Sequence, residues 1–168
     1  MNDYKETTTI PEKELFVKMV VSNWELQNVR LNGLIDKLTN EQLLAQVAPG
    51  RNRGIYLLGH LTAVSDGMLP LLGLGDKLFP ELDELFLKNA DNFGVAYPSL
   101  DELKANWDEV NAILTKYFAQ LPADEWFTKH SSISEEDFAR EPHRNKLNIL
   151  INRTNHQSYH LGQLIFLK

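Results

Sequence analysis

The chain contains no cysteine. That excludes disulfides, thiolate-ligated zinc or iron–sulfur sites, and any nucleophile supplied by a protein thiol. Sulfur chemistry, if there is any, has to bring its thiol from outside. Basic residues are in the minority: 17 Lys and Arg against 23 Asp and Glu leave a formal charge of -6 and a pI near 5.3. Such a chain has no overall attraction to a phosphate backbone, so nucleic acid is not an expected partner. Long apolar runs are lacking as well. The most apolar segments, 69–74 and 147–151, fall short of the ~20 residues a membrane helix needs. Residues 1–14 are polar and mixed in charge, without the apolar stretch of a secretory signal. No membrane partner is expected, and a cytoplasmic location is.

What is present suffices for one packed core: 43% of the 168 residues are hydrophobic, and residues 1–168 read as a single domain. Thr9 and Glu12 have capping-box spacing with Pro11 at a first-turn position. Phe16, Val20, Trp24, Leu31, Leu34, Ile35 and Leu38 then recur at three- and four-residue steps, predicting a long helix to about Leu38. Asn32-Gly33 is a soft point in it. Thr39 and Gln42 open a short connecting helix that closes before Pro49-Gly50. Leu57, Leu61, Val64, Met68, Leu71 and Leu72 make a second long stripe, ending near Gly73 or Gly75. Residues 76–98 form an irregular crossover with room for a short helix over 81–88. Ser99 and Glu102 cap a third long helix whose Leu103, Trp107, Val110, Leu114, Tyr117 and Leu121 follow heptad spacing up to Pro122. The polar stretch 127–142 reads as a surface loop, and the last helix runs from about His143 onward. No segment has convincing period-2 patterning. The expected fold is all-α, an antiparallel four-helix bundle with short connecting helices.

Of the five histidines, His156 and His160 stand four apart on the last helix, on one face and about 6 Å from one another, close enough to share an ion. On a helical wheel they lie to one side of the stripe Leu147, Leu150, Ile151, Thr154, Leu161 and Ile165, flanked by Ile149 and Leu167. His60 projects from the edge of the second stripe and supplies a third imidazole if the two helices meet. Three neutral imidazoles leave coordination positions open, as catalytic sites do. Zinc, nickel and iron all tolerate such ligands. The plain alternative is that each histidine satisfies a hydrogen bond in the core. Near His60, Gly59, Ala63 and Gly67 recur every four residues and admit a neighbouring helix or a ligand close to the backbone.

Other residues carry weaker signals. Arg51 and Arg53, in a loop with Asn52, suit a carboxylate or phosphate, although loop arginines are usually solvated. Asn155, Gln157 or Gln163 is placed to orient a histidine. Tyr159 faces away from the paired imidazoles and is expected to pack, and Asp66 lies off the His60 side. His130 and His143 are expected at the surface, and Glu135-Glu136-Asp137 reads as a solvated run. Trp24, Trp107 and Trp126 are expected in the core.

Pro49-Gly50-Arg51-Asn52, Gly59-His60-Leu61 leading into Asp66-Gly67-Met68-Leu69, and Asn155-His156-Gln157-Ser158-Tyr159-His160-Leu161-Gly162-Gln163-Leu164 together resemble the DinB family. The resemblance spans most of the chain; its most specific part is the H-x3-H-x-G-Q ending with a single earlier histidine. It implies a four-helix bundle holding a divalent ion through His60, His156 and His160. Several members of that family are S-transferases or isomerases that use a low-molecular-weight thiol, and homodimers are common among such bundles. The resemblance therefore implies a metal-dependent transferase or hydrolase that activates a thiol or a water against a small electrophile. A non-catalytic metal- or small-ligand-binding bundle is the alternative. The family name refers to DNA damage induction and implies no contact with DNA.

Overall fold

The computed structural model describes residues 10–92 and 94–168. Among these there is no strand, only two isolated bridges, Gln46 with Arg53 and Lys129 with Asn145. Eight α-helices follow one another: α1 (Glu12–Ile35), α2 (Asn40–Leu44), α3 (Gly54–Asp66), α4 (Met68–Leu72), α5 (Leu82–Phe86), α6 (Leu100–Gln120), α7 (Glu135–Arg140) and α8 (Lys146–Leu164). The four long rods are α1, α3 continued by α4, α6 and α8. α1 packs on α8, α3 on α6, and α3 also meets α8; this is the antiparallel bundle that the apolar periodicity predicts.

The caps differ in detail from expectation. Thr9 lies outside the described residues, and Pro11 precedes the first turn of α1 rather than entering it. α1 stops at Ile35, although Leu38 is still buried; it passes through Asn32-Gly33 without a break. Thr39 and Gln42 do form both bonds of a capping box. Ser99 accepts from the Glu102 N–H, half of the expected pair. The rod after the 51–54 loop breaks at Gly67 and resumes as α4, ending at Gly73 with φ of 72°, a left-handed conformation that glycine adopts without steric cost. The stretch read as a loop over 127–142 contains α7, capped by the Ser134 side chain on the Asp137 N–H. α8 starts three residues later than His143, at Lys146, because the Asn145 side chain caps the Asn148 N–H.

The core forms two clusters. One gathers Leu31, Leu57, Leu61, Phe86, Leu103 and Leu164; the other gathers Trp24, Met68, Leu114, Phe118, Trp126 and Leu150. Burial follows 3.6 residues per turn more faithfully than the heptad does: in α6 the series Leu103, Trp107, Val110, Leu114 continues to Phe118, while Tyr117 is 37% exposed. In α1 the same drift buries Val17 and leaves Phe16 outside. α3 and α4 are apolar enough by composition to cross a membrane, but most of their residues are buried inside the bundle. The core position accounts for their composition. Gly54 is a packing requirement: a Cβ there would lie 2.7 Å from the Leu167 side chain and 2.8 Å from the Leu43 carbonyl.

Candidate metal centre

α3 carries His60 and α8 carries His156 and His160, and the contact between the two helices brings the three rings together. His60 Nε2 lies 3.1 Å from His156 Nε2, which lies 3.0 Å from His160 Nε2. The rings meet edge to face at centroid separations of 4.5 to 5.0 Å. His160 is buried and the other two are half-buried. The wheel placed both α8 histidines beside the main stripe. In the fold the buried series is Leu147, Leu150, Thr154, Gln157, His160 and Leu164; Ile165 is 51% exposed.

Two of the three imidazoles are fixed from behind. His60 Nδ1–H donates to the Phe86 carbonyl at 2.8 Å, and His160 Nδ1–H donates to Gln163 Oε1 at 2.7 Å. A carbonyl oxygen only accepts, so both protons are on Nδ1 and both Nε2 lone pairs point inward. His156 Nδ1 is buried and has no partner among the described residues. Protonation does not relieve this convergence. Burial first, then the charges of His160, His60 and Arg153, push His156 down to about 4; burial also lowers His160, against the bond to Gln163. A single proton on His156 Nε2 bonds to one neighbour and leaves another lone pair facing nitrogen at about 3 Å. A divalent ion ~2.0–2.1 Å from each imidazole nitrogen places neighbouring ligands at about this spacing. The donor set therefore fits an ion.

The cluster depends on a backbone approach. A Cβ at Gly59 would collide with the Phe86 ring, so glycine there lets α5 come close enough for the Phe86 carbonyl to hold His60. Tyr56 stacks nearly parallel to His60 at 6.2 Å and donates to the Asn89 carbonyl at 2.7 Å.

This chain belongs to the DinB superfamily. The family match runs over residues 23–164, from the middle of α1 to the end of α8. A crystal structure titled as a conserved protein from Enterococcus faecalis has the same fold, with a TM-score of 0.60 and 14% identity over 95% of this chain and 96% of that one. No curated protein matches the chain.

The remaining candidates divide sharply. Gln163 orients a histidine, whereas Gln157 is buried and donates to Asn28 Oδ1 at 2.8 Å, and Asn155 is exposed. Arg53 is not solvated: it pairs with Asp91 at 2.6 Å and lies over the Tyr97 ring. Arg51 remains exposed. Asp66 is buried and accepts the Leu78 and Phe79 N–H groups at 2.8 and 2.9 Å, tying the crossover to the end of α3. Tyr159 does not pack into the core; it is 64% exposed, its ring 5.1 Å from that of His160. His130 is buried beside Ser132 rather than at the surface, because 128–133 folds back on the end of α4 through the Ser131 N–H and Leu71 carbonyl. His143 is exposed. Glu135, Glu136 and Asp137 line the first turn of α7, where Asp137 pairs with Arg140. Trp24, Trp107 and Trp126 are core residues. Sequence reading missed Phe86, whose role is a main-chain oxygen and leaves no mark in residue type. It also missed Arg153, whose inward turn on α8 is set by the packing of the helices.

Proposed function

We propose that His60, His156 and His160 hold a divalent zinc, nickel or iron ion through Nε2 and that the chain is a metal-dependent transferase or hydrolase. The observation that supports this reading is the convergence of the three Nε2 atoms, two of them fixed by Nδ1 bonds to Phe86 and Gln163. An ion bound to neutral ligands keeps its positive charge and makes a low-molecular-weight thiol or a water at an open position easier to deprotonate. The protein's own contribution is orientation and a low local polarity. Phe86 and Gln163 keep two of the imidazoles aimed, burial favours the neutral forms of His156 and His160, and Arg153 adds a positive field favourable to an anionic nucleophile or substrate. With no cysteine in the chain, the nucleophile is external.

Elemental analysis of the purified protein tests this. Stoichiometric metal in the wild type and its loss in His156→Ala/His160→Ala is the expected result; a wild type that takes up no divalent ion would sink the reading. In cobalt-substituted protein, a visible spectrum that shifts on adding thiol selects the transferase. A spectrum unmoved by millimolar thiol leaves water as the nucleophile.

The homodimer rests on a separate observation. Leu15, Met19, Leu26 and Val29 are each at least 45% exposed. With Ser22 and Gly33 they follow alternating four- and three-residue steps along α1, opposite the buried Val17, Trp24 and Leu31. That is a coiled-coil seam without a partner among the described residues. Two copies laid antiparallel, Leu15 against the partner's Leu26, set Lys18 beside the partner's Glu25 twice by symmetry. A register one heptad away sets Glu25 against the partner's Glu25 instead. Sedimentation of a dimer by the wild type and a monomer by Met19→Glu is expected; a monomeric wild type at high micromolar concentration removes this part of the proposal.

A further inference from the structure

Arg153 stands on α8 one turn before His156, partly buried, with its Nε shielded from solvent and without a hydrogen-bond partner. Among the described residues it makes no ion pair; the paired arginines are Arg53, Arg140 and Arg144. Burial is the one influence on its ionisation, and it opposes the charge. A guanidinium nevertheless stays protonated, so the fold carries an uncompensated positive charge out of full solvation, at a cost to its own stability.

That charge borders a cavity of about 430 Å³. Ala63, Val64, Gly67 and Leu87 supply apolar wall, and Lys77, the other cation there, is already paired with Asp83. The cavity abuts the histidine cluster: Ala63 and Val64 lie one turn beyond His60 on α3, Leu87 follows the residue whose carbonyl holds His60, and Arg153 precedes His156. The stripe of small residues on α3 is accounted for in two ways. Gly59 is occupied by Phe86, whereas Ala63 and Gly67 keep the cavity open; a Cβ at Gly67 would meet nothing from another element closer than 3.9 Å. Arg51, by contrast, is an exposed cation in open solvent.

We infer that this cavity takes the carboxylate end of a small amphipathic substrate, with Arg153 gripping the two oxygens and the apolar walls holding the adjoining carbon chain. A planar fork of N–H donors matches a carboxylate in a way no surrounding apolar group does, and one charged group in a mostly apolar concavity is the usual make-up of a small-molecule site. The carboxylate end is then held three residues of α8, ~4.5 Å along the helix axis, from His156, and the far end of the molecule is left to face the histidine cluster. The inference rests on the proposed metal chemistry only for what happens at that far end; the carboxylate grip needs no ion.

Calorimetric titration of hexanoate and of its uncharged analogue hexanamide, into both the metal-free and the metal-loaded full-length protein, tests it. Hexanoate is expected to bind both forms, to bind Arg153→Gln at least about tenfold more weakly, and to outcompete hexanamide. Arg153→Lys, which keeps the charge but loses the fork, is expected to fall between. Equal binding of hexanoate to wild type and Arg153→Gln, or none to the metal-free wild type, overturns the inference. Circular dichroism of each variant separates loss of binding from loss of fold. A protein that takes up no metal yet loses hexanoate on Arg153→Gln refutes the metal reading alone; one that takes up metal but binds hexanoate regardless of residue 153 refutes this inference alone.

Discussion

The start of α3 and the face of α8 that meets its middle treat the same kind of side chain in opposite ways. Arg53, at the α3 start, is buried with every neighbour answering it. Asp91 receives the guanidinium and also the Arg53 backbone N–H at 2.7 Å, the Asn92 carbonyl accepts another bond, and Tyr97 donates to Asp91 while lying under the guanidinium. Arg153 is buried in part with no such company, and the nearby His156 Nδ1 is likewise orphaned. Burial pushes the Asp91 carboxyl up, but the bonds from Arg53 outweigh it and hold its pKa below the ordinary value. The difference teaches which polar groups serve the fold and which are left open for something else. Arg53 clamps the irregular crossover onto α3 and so holds α5 where the Phe86 carbonyl can reach His60.

The largest effect is expected on the saturated side. Asp91→Ala leaves Arg53 buried without a counter-ion and its backbone N–H without an acceptor. That costs about 3–5 kcal/mol, which for a chain of this size lowers Tm by roughly 10 °C. Because the clamp also positions α5, His60 loses its fixed tautomer and metal uptake falls in the same variant. If Asp91→Ala melts within about 1 kcal/mol of wild type, the pair is worth no more than a surface bridge, and the contrast with Arg153 fails. Next in size is Gln163→Ala, which frees His160 from its hydrogen bond while leaving all three ligands in place. Metal affinity is expected to drop about 10–100-fold, read by competition with a chelating dye, with little change in the melting of the metal-free protein.

A pH series on the metal-free protein sharpens the comparison further. His156 has a folded pKa of about 4 against an ordinary 6.5, so the fold favours its neutral form. Its stabilising contribution is complete above pH 6.5 and is lost as the pH falls through that window toward about 4. Tm is therefore expected to fall across this range and to fall less steeply in His156→Asn. His130, lowered by burial and then by Arg144 and Lys129, and His160, lowered by burial, act in the same direction, so His130→Asn and His160→Asn serve as controls for what remains. Asp91, also lowered, loses its contribution only as the pH drops below the ordinary 3.8. The two regions thus titrate in separate ranges. A Tm that does not change between pH 6.5 and 4.5 in the metal-free wild type contradicts the assignment.

The bundle and the His156–His160 pair were legible in the sequence because both rest on local periodicity, whereas His60, 96 residues before His156, was joined to them through the family resemblance. Trp24, Leu61, Leu114 and Leu150 sit on faces set by 3.6 residues per turn, and four residues between His156 and His160 place them on one side whatever lies around them. What escaped depends on contacts far apart in the chain. Asp91 and Arg53 are 38 residues apart, and Phe86 meets His60 through a main-chain atom across 26; neither pairing has a spacing rule. Tyr117 and Phe118 exchanged places because a heptad assigned to a straight helix slips by a residue over several turns. Arg153 has no spacing signature either, and only the fold shows that the helix turns it inward without a partner.

The smallest effect has the opposite sign. If Arg153 serves a ligand and not the fold, replacing it with a residue of similar length and no charge should relieve an uncompensated charge in the metal-free, ligand-free protein. Arg153→Met keeps most of the apolar contact along the cavity wall and removes the desolvated guanidinium, and replacing buried charge by packed apolar side chain is often neutral to stabilising. A gain of about 1 kcal/mol, roughly 2–4 °C in Tm, is expected, together with a shallower pH dependence, since Arg153 is among the charges that depress His156. Arg53→Met, the same substitution at the saturated position, should destabilise strongly because it strands Asp91. Opposite signs for one chemical change at two arginines is an outcome that general helix propensity or surface polarity cannot produce. Equal losses at both positions would mean that Arg153 is held by the fold after all, and that the cavity beside the histidines is only a gap between α3 and α8.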